Sequence, residues 1–145
     1  MCGRILSLVY GLWSLVCALW SATMRDYKNI KAYKLAEELV MNIYSITNKF
    51  PKEEMYGLTS QMRRAAISVP ANISEGASRN HKRDYLQFLY VSRGSMAELE
   101  CLMDIANRLG FLPNKEHEQI SNKRSEVAKT LYGLITAVEK ETKGL

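Results

Sequence analysis

The sequence predicts an all-α protein, an up-down-up-down four-helix bundle, from three observations. Apolar residues recur at alternating steps of three and four in four segments, as they do on the packed side of a helix. No segment alternates apolar and polar residues with the period of two that is typical of a half-buried strand. The connections between the four segments are short, which favours a bundle of sequential neighbours.

The first helix begins near Ala32 and ends before Pro51. The residue before a proline is disfavoured in the helical conformation, so Pro51 marks the boundary. The apolar stripe of this helix consists of Ala32, Ala36, Leu39, Ile43, Ile46 and Phe50.

The second helix contains a proline, Pro70, in its middle. A proline there removes one backbone hydrogen bond and crowds the carbonyl group of Ala66, which costs about 3 kcal/mol or more. We therefore expect a kink between Ala66 and Pro70. The apolar stripe consists of Leu58, Met62, Ala65, Val69, Ile73 and Gly76.

The third and fourth helices have the caps expected of helix ends. Asn80 and Asn114 are candidate N-caps because their side-chain oxygens can accept backbone N–H groups, and Gly110 suits the left-handed position after the third helix. The third stripe consists of Tyr85, Leu89, Ser92, Met96, Leu99, Met103 and Ala106, and the fourth of Ile120, Val127, Leu131, Leu134 and Val138.

The third helix carries a second apolar set, namely Leu86, Tyr90, Leu102, Ile105 and Leu109. A bundle needs only one stripe per helix. These residues either face the core of an irregular bundle or form a subunit interface, and their continuity favours the interface.

The composition divides the chain into an apolar prefix, residues 1–23, and a bundle domain, residues 24–145. The prefix contains 16 hydrophobic residues and one charge, Arg4. It is an extension upstream of a true start at Met24, a signal or membrane anchor, or an integral part of the fold. The abrupt change of composition at Met24 favours the first. We expect a cytoplasmic protein, or a membrane-anchored or exported one if the prefix is genuine.

The sequence contains no motif that predicts an enzyme. Neither His81 nor His117 follows a Glu by three residues, so the paired Glu-x-x-His motifs of di-iron bundles are absent. There is no Cys-x-x-Cys, His-Glu-x-x-His or phosphate-binding loop. Cys101 is expected to be a small core residue rather than a nucleophile. We predict no catalytic residue, no cofactor, no metal and no small-molecule substrate.

Basic residues are concentrated in the middle of the chain. Residues 61–93 contain six basic residues against the two acidic residues Glu75 and Asp84. They form either a patch for nucleic-acid phosphate or a solvated face with internal ion pairs. The six candidate nucleic-acid-binding residues are Arg63, Arg64, Arg79, Lys82, Arg83 and Arg93.

A polar stripe runs beside the apolar stripe of the second helix, through Gln61, Arg64, Ser68, Asn72 and Glu75. At this offset we expect Arg64, Asn72 and Glu75 to be at least partly buried. A buried charge needs a partner, which Glu98 or Arg93 on the third helix can supply. The stripe therefore predicts a structural polar network of Gln61, Arg64, Asn72, Glu75 and Glu98 in preference to a ligand site.

The run from Gly57 to Gly76, with Gln-Met-Arg-Arg-Ala near its start and Asn-Ile-Ser-Glu-Gly at its end, resembles a family signature. It is similar to that of the four-helix bundle proteins encoded in intervening sequences of bacterial 23S rRNA genes. Lys31–Ala36, Tyr85–Leu89 and Gly94–Glu100 fit the same family, and the resemblance covers about residues 25–140.

The resemblance implies a left-handed up-down bundle that assembles as a homopentamer and has no established catalytic activity. The family also resembles the accessory variability proteins of diversity-generating retroelements, which are basic pentamers that bind a reverse transcriptase and nucleic acid. Two hypotheses follow. The chain is a pentamer that binds RNA or DNA, or it is a scaffold for a protein partner, such as a nucleic-acid enzyme, without touching nucleic acid itself.

Overall fold

A computed structural model describes residues 26–144. This part of the chain contains four α-helices and no strand, so the all-α prediction is confirmed. Short 3-10 turns at Tyr27–Asn29 and Lys52–Tyr56 precede the first and second helices. The predictions for residues 1–23 lie outside the described residues. The helices are α1 (Lys31–Thr47), α2 (Leu58–Ala77), α3 (Lys82–Arg108) and α4 (Asn114–Lys143).

Each helix packs against the next along the chain, and α4 closes the bundle against α1. The ion pairs between α3 and α4 join Lys82 to Glu141 and Glu100 to Arg124, so these two helices run in opposite directions. The up-down-up-down topology of the whole bundle and its left-handedness stay predictions. None of the helices within residues 26–144 combines the length and apolar character needed to cross a bilayer.

The predicted stripes form one hydrophobic core, with three shifts of position. In α2, Thr59 is buried in place of the half-buried Leu58. In α1, Thr47 is buried and Ile46 is only half-buried, because the stripe continues from Ile43 in a step of four. The Thr47 hydroxyl donates to the carbonyl oxygen of Ile43 at 2.8 Å, which satisfies it in the core. In α4, Ile135 is buried in place of the half-buried Leu134.

Helix α2 continues through Pro70, which is half-buried. The hydroxyl of Ser92 on α3 donates to the carbonyl oxygen of Val69 at 3.0 Å, next to the proline. The kink at Ala66–Pro70 stays a prediction.

The predicted side-chain caps are wrong, whereas the glycine is confirmed. His81, not Asn80, precedes α3, and it makes no capping hydrogen bond with its side chain. Asn114 is already the first residue of α4, and its Oδ1 accepts from Nδ2 of Asn107 at 2.8 Å. That bond holds the loop instead of capping the helix. Gly110 has a φ of 79°, the left-handed conformation that glycine adopts without strain.

Gly76 allows α2 and α3 to approach closely at their connection. A Cβ at this position would lie 2.8 Å from the Cβ of Phe88 and 2.8 Å from Cδ2 of Tyr85. Tyr85 is fully buried and Phe88 half-buried, so neither ring can move away freely. The absence of a side chain at Gly76 therefore sets the spacing of the two helices.

Candidate functional site

The six basic residues of the middle segment do not form one patch. Arg63 and Arg64 lie in the second turn of α2, whereas Arg79, Lys82 and Arg83 surround the connection from α2 to α3. Since an α-helix rises 1.5 Å per residue, the part of α2 that separates the two groups is about 20 Å long. The two groups therefore belong to opposite ends of the bundle.

Arg63 joins α2 to the end of α1. Its Nε donates to Oγ1 of Thr47 at 2.9 Å, and its Nη2 donates to Oδ1 of Asn48 at 2.8 Å. The guanidinium also lies 4.6 Å from the ring centre of Tyr44. All three contacts are with neutral groups, and no carboxylate pairs with Arg63 among the described residues. Arg63 keeps its positive charge uncompensated while it holds the two helices together.

The basic side chains near the α2–α3 connection are exposed. Arg79, two residues beyond the end of α2, pairs with Glu75 in the last turn of that helix and lies over the ring of Phe88. Lys82 pairs with Glu141 of α4 at 3.1 Å, and Arg83 has no ion pair within the described chain. Exposed pairs of this kind contribute about 0–1 kcal/mol each, so another anion can replace either carboxylate.

Two lysines that the sequence pattern missed belong to the same end of the bundle. The ion pair between Lys82 and Glu141 brings the last turn of α4 next to the first turn of α3. Lys140 and Lys143 lie in that last turn. We call the resulting surface the basic end; its basic residues are Arg79, Lys82, Arg83, Lys140 and Lys143, and the acidic residues Glu75, Asp84 and Glu141 lie among them.

Arg93 lies apart from both groups, in the middle of α3. Its guanidinium is 5.0 Å from the ring centre of Tyr90, and it makes no ion pair within residues 26–144. The Tyr90 hydroxyl donates to Oε1 of Glu139 on α4 at 2.6 Å. This hydrogen bond to the carboxylate is the main cause that raises the pKa of Tyr90 above its ordinary value, and burial adds to it.

Contrary to expectation, the charged residues of the polar stripe of α2 are exposed in the single chain. Arg64 donates from Nε to Gln61 at 3.1 Å and from Nη2 to Glu98 at 2.9 Å, but its side chain is 67% exposed. Glu75 is also exposed and pairs with Arg79. The reason is that the stripe follows the rim of the α2–α3 contact, where long side chains extend into solvent.

The remainder of the stripe is a smaller, half-buried group of hydroxyl and amide side chains. Nδ2 of Asn72 donates to the carbonyl oxygen of Ser68 at 2.7 Å. The Ser68 hydroxyl lies 2.8 Å from that of Ser95 on α3. The five residues predicted as one network therefore belong to three separate groups. Ser95 was missed because its partner Ser68 lies 27 positions away in the sequence.

An apolar groove lies between the outer face of α1, the Lys52–Tyr56 turn and the start of α2. It is a shallow depression, open to solvent, with a volume of about 650 Å³, and its exposed lining is mainly carbon. Tyr56 at its edge is 93% exposed, which is extreme for a tyrosine. We call this surface the α1–α2 groove; its main lining residues are Tyr44, Met55, Tyr56, Thr59, Arg63 and Ile67.

The second apolar set of α3 is partly buried and partly exposed, and its role as a subunit interface stays a prediction. Leu86, Tyr90 and Leu102 pack against the core, whereas Ile105 and Leu109 are exposed. Cys101 is exposed rather than buried, because its position one residue off the stripe turns it outward. The expectation of a core cysteine is therefore wrong.

The two histidines take separate places. His81 is exposed before α3, and Nε2 of His117 lies 2.9 Å from Oδ1 of Asp104. Within residues 26–144, no group of three or more potential metal-ligating side chains comes together.

Comparison with known proteins identifies the family. The family model of the 23S rRNA-intervening sequence protein matches residues 28–133. No curated protein matches the chain. A solved structure from Bacteroides thetaiotaomicron, a protein of unknown function from the S23 ribosomal protein family, is similar in fold with a TM-score of 0.67. It is 20% identical, and the match covers 72% of this chain and 97% of that one. The chain belongs to the family of 23S rRNA-intervening sequence proteins.

Proposed function

We propose that this protein is a non-catalytic homo-oligomer, a homopentamer, that binds RNA or DNA through the basic end. The observation that carries the proposal is the convergence of Arg79, Lys82 and Arg83 with Lys140 and Lys143 of α4. Arginine can bind a phosphate with two parallel hydrogen bonds, and neighbouring lysines add charge without geometric demand.

Self-association would multiply this charge. Ile105 and Leu109 expose apolar side chains on α3, and Val91 on the same helix is also more than half exposed. Apolar surface of this kind supports an interface between copies of the chain. Each copy would contribute its own basic end, so a modest charge per chain would give a strong field in the assembly.

The nucleic-acid proposal is tested by salt-titrated binding of a labelled single-stranded RNA. Each phosphate contact contributes about 0.7 to the slope of log K against log salt for single strands. Replacing Arg79, Lys82 and Arg83 together by Ala should reduce the slope by about 2. The matched control replaces Lys52, Arg108 and Lys115, three exposed basic residues near the other end of the bundle. Equal effects of the two triple variants would contradict the proposal.

The assembly is tested separately by light scattering. We expect a mass five times the 16.5 kDa of one chain. A monomeric mass at micromolar concentration would contradict the oligomer but leave the RNA titration interpretable.

A second candidate function is a scaffold for a protein partner, favoured by the α1–α2 groove. Its lining is mainly apolar, which suits protein side chains better than a phosphate backbone. A pull-down of a protein partner that survives nuclease treatment and high salt supports this function, and loss of the partner under either condition contradicts it.

A further inference from the structure

We propose that the α1–α2 groove binds an acidic amphipathic helix of a partner protein. The inference rests on the second of the two proposed functions and gives the partner a chemistry: an apolar helix face flanked by Asp or Glu. It makes no use of the basic end, so the two proposals can fail separately.

The apolar part of the groove comes from three different segments of the chain. Tyr44 belongs to α1, Met55 and Tyr56 to the turn, and Ile67 to α2, and all four expose large apolar side chains. Met41, one turn before Tyr44 on the same face of α1, is also exposed. A contiguous cluster of this size marks an interaction surface more often than scattered apolar residues do.

The two charged side chains among the residues that line the groove are both arginines. Arg63 has only neutral partners, and Arg64 is largely exposed although it pairs with Glu98. The N-terminus of α2 is already occupied, because Glu54 accepts the Leu58 N–H at 3.0 Å, so the two arginines supply the positive potential on this side. Carboxylates at the flanks of an occupant would therefore meet favourable potential on this side.

Thr59 supplies an independent sign that the groove is incomplete. Its Oγ1 is buried and has no hydrogen-bond partner among the described residues. An unsatisfied buried hydroxyl is destabilising by about 1–3 kcal/mol, so native structures rarely retain one. Because Thr59 lines the groove in the first turn of α2, a polar group of an occupant can reach the hydroxyl once the side chain turns to another rotamer.

A helix fits these features better than an extended peptide or nucleic acid. The described residues contain no strand, so there is no sheet edge to which an extended peptide could add. The lining is mainly carbon, and the unbranched Met55 can adapt to several apolar side chains. A nucleic-acid backbone would need a longer series of cations than Arg63 and Arg64 provide.

The test is fluorescence anisotropy of the full chain with labelled synthetic helices of about 16 residues. The acidic probe has Leu and Phe at helical spacing and Glu at the flanking positions; the basic probe has Lys in place of every Glu. A labelled oligouridine serves as the nucleic-acid probe. We expect the acidic probe to bind at least about tenfold more tightly than the basic probe at low salt.

The variants locate the binding. Tyr56→Ala and Ile67→Glu should each weaken binding of the acidic probe about tenfold, because both exposed side chains line the groove. Tyr132→Ala is the matched control, since Tyr132 is 66% exposed on α4 and does not line the groove. Arg64→Ala should reduce the preference for the acidic probe, whereas Arg83→Ala should leave it unchanged.

Five results would overturn the proposal. These are no binding of the acidic probe at millimolar protein, equal binding of the two peptides, and equal effects of Tyr56→Ala and Tyr132→Ala. The fourth is a change of oligomer mass in Tyr56→Ala, which would make a second copy of the chain the occupant. Loss of oligouridine binding in Tyr56→Ala with peptide binding intact would instead assign the groove to nucleic acid, which also overturns it.

Discussion

The two ends of the bundle expose different chemistry although both are rich in arginine. At the basic end, Arg79, Lys82 and Arg83 form exposed ion pairs or none, and lysines of α4 join them. At the other end, Arg63 is fixed by hydrogen bonds beside an apolar groove. The excess positive charge of residues 61–93 is therefore divided between two surfaces and Arg93, which lies apart from both in the middle of α3. A count of charges along a sequence does not distinguish a phosphate-binding surface from the rim of an apolar one.

The largest expected effect concerns the packing that shapes the basic end. Gly76→Ala would place a Cβ 2.8 Å from Phe88 and Tyr85, so we expect it to lower the free energy of unfolding by about 1–3 kcal/mol. Gly94→Ala is the control, because nothing lies within 4 Å of its added Cβ. In a helix interior that change should stabilise by about 0.5–1 kcal/mol. Urea denaturation measures both, and a neutral Gly76→Ala would show that α2 and α3 can separate freely.

Arginine replacements sharpen the contrast between the ends. Arg63→Ala removes two hydrogen bonds that join α1 to α2, and we expect it to destabilise the fold by about 1–2 kcal/mol. Arg83→Ala removes an exposed side chain without an ion pair and should change stability by less than about 0.5 kcal/mol. If chemical denaturation gives the same loss of stability for both variants, Arg63 is held no more firmly than Arg83.

Glu75 tests whether the exposed stripe becomes buried in the assembly. For the exposed pair with Arg79, Glu75→Ala should lower stability by less than about 1 kcal/mol. A buried network would lose about 3 kcal/mol or more, because removal of one partner leaves a buried charge. Thermal unfolding, measured at protein concentrations below and above that of assembly, distinguishes an exposed pair from a buried network. A large loss of stability at both concentrations would contradict the exposed geometry.

The smallest expected effect is a pH dependence at the contact of α3 with α4. The raised pKa of Tyr90 in the folded state means that its hydrogen bond to Glu139 stabilises the fold fully below the unfolded pKa of about 10. The stabilisation is lost as pH rises through the folded pKa. Tyr90→Phe should abolish this part of the alkaline loss of stability. If wild type and variant lose stability in parallel from pH 8 to 11, the hydrogen bond does not contribute.

The core was predictable because helical periodicity reports which residues share a face. The seven stripe residues of α3 are all buried, including Ser92, whose hydroxyl bonds to α2. Periodicity was less accurate near helix ends, where Thr47 replaced Ile46 and where neither predicted asparagine capped its helix. The position of a helix end depends on hydrogen bonds with the adjoining loop. The apolar pattern along one helix gives no information about those bonds.

The candidate surfaces could not be predicted in the same way, because each is assembled from distant segments. Lys140 joins the basic end only because α4 ends beside the start of α3. In the sequence, Tyr44 and Ile67 show no sign that they share a surface. They line one groove because the turn between their helices places Tyr56 beside them. Arg64 lies on the face of α2 that the sequence predicted, but its long side chain reaches solvent from the rim of the α2–α3 contact.

The central claim, that the ends are separate binding surfaces, is tested most directly by competition in one anisotropy experiment. Labelled oligouridine is bound to the full chain at low salt, and the unlabelled acidic peptide is then added to saturation. The account predicts that the RNA remains bound while the peptide fills the groove, because the two surfaces lie about 20 Å apart along α2. Displacement of the RNA in proportion to peptide bound would contradict it.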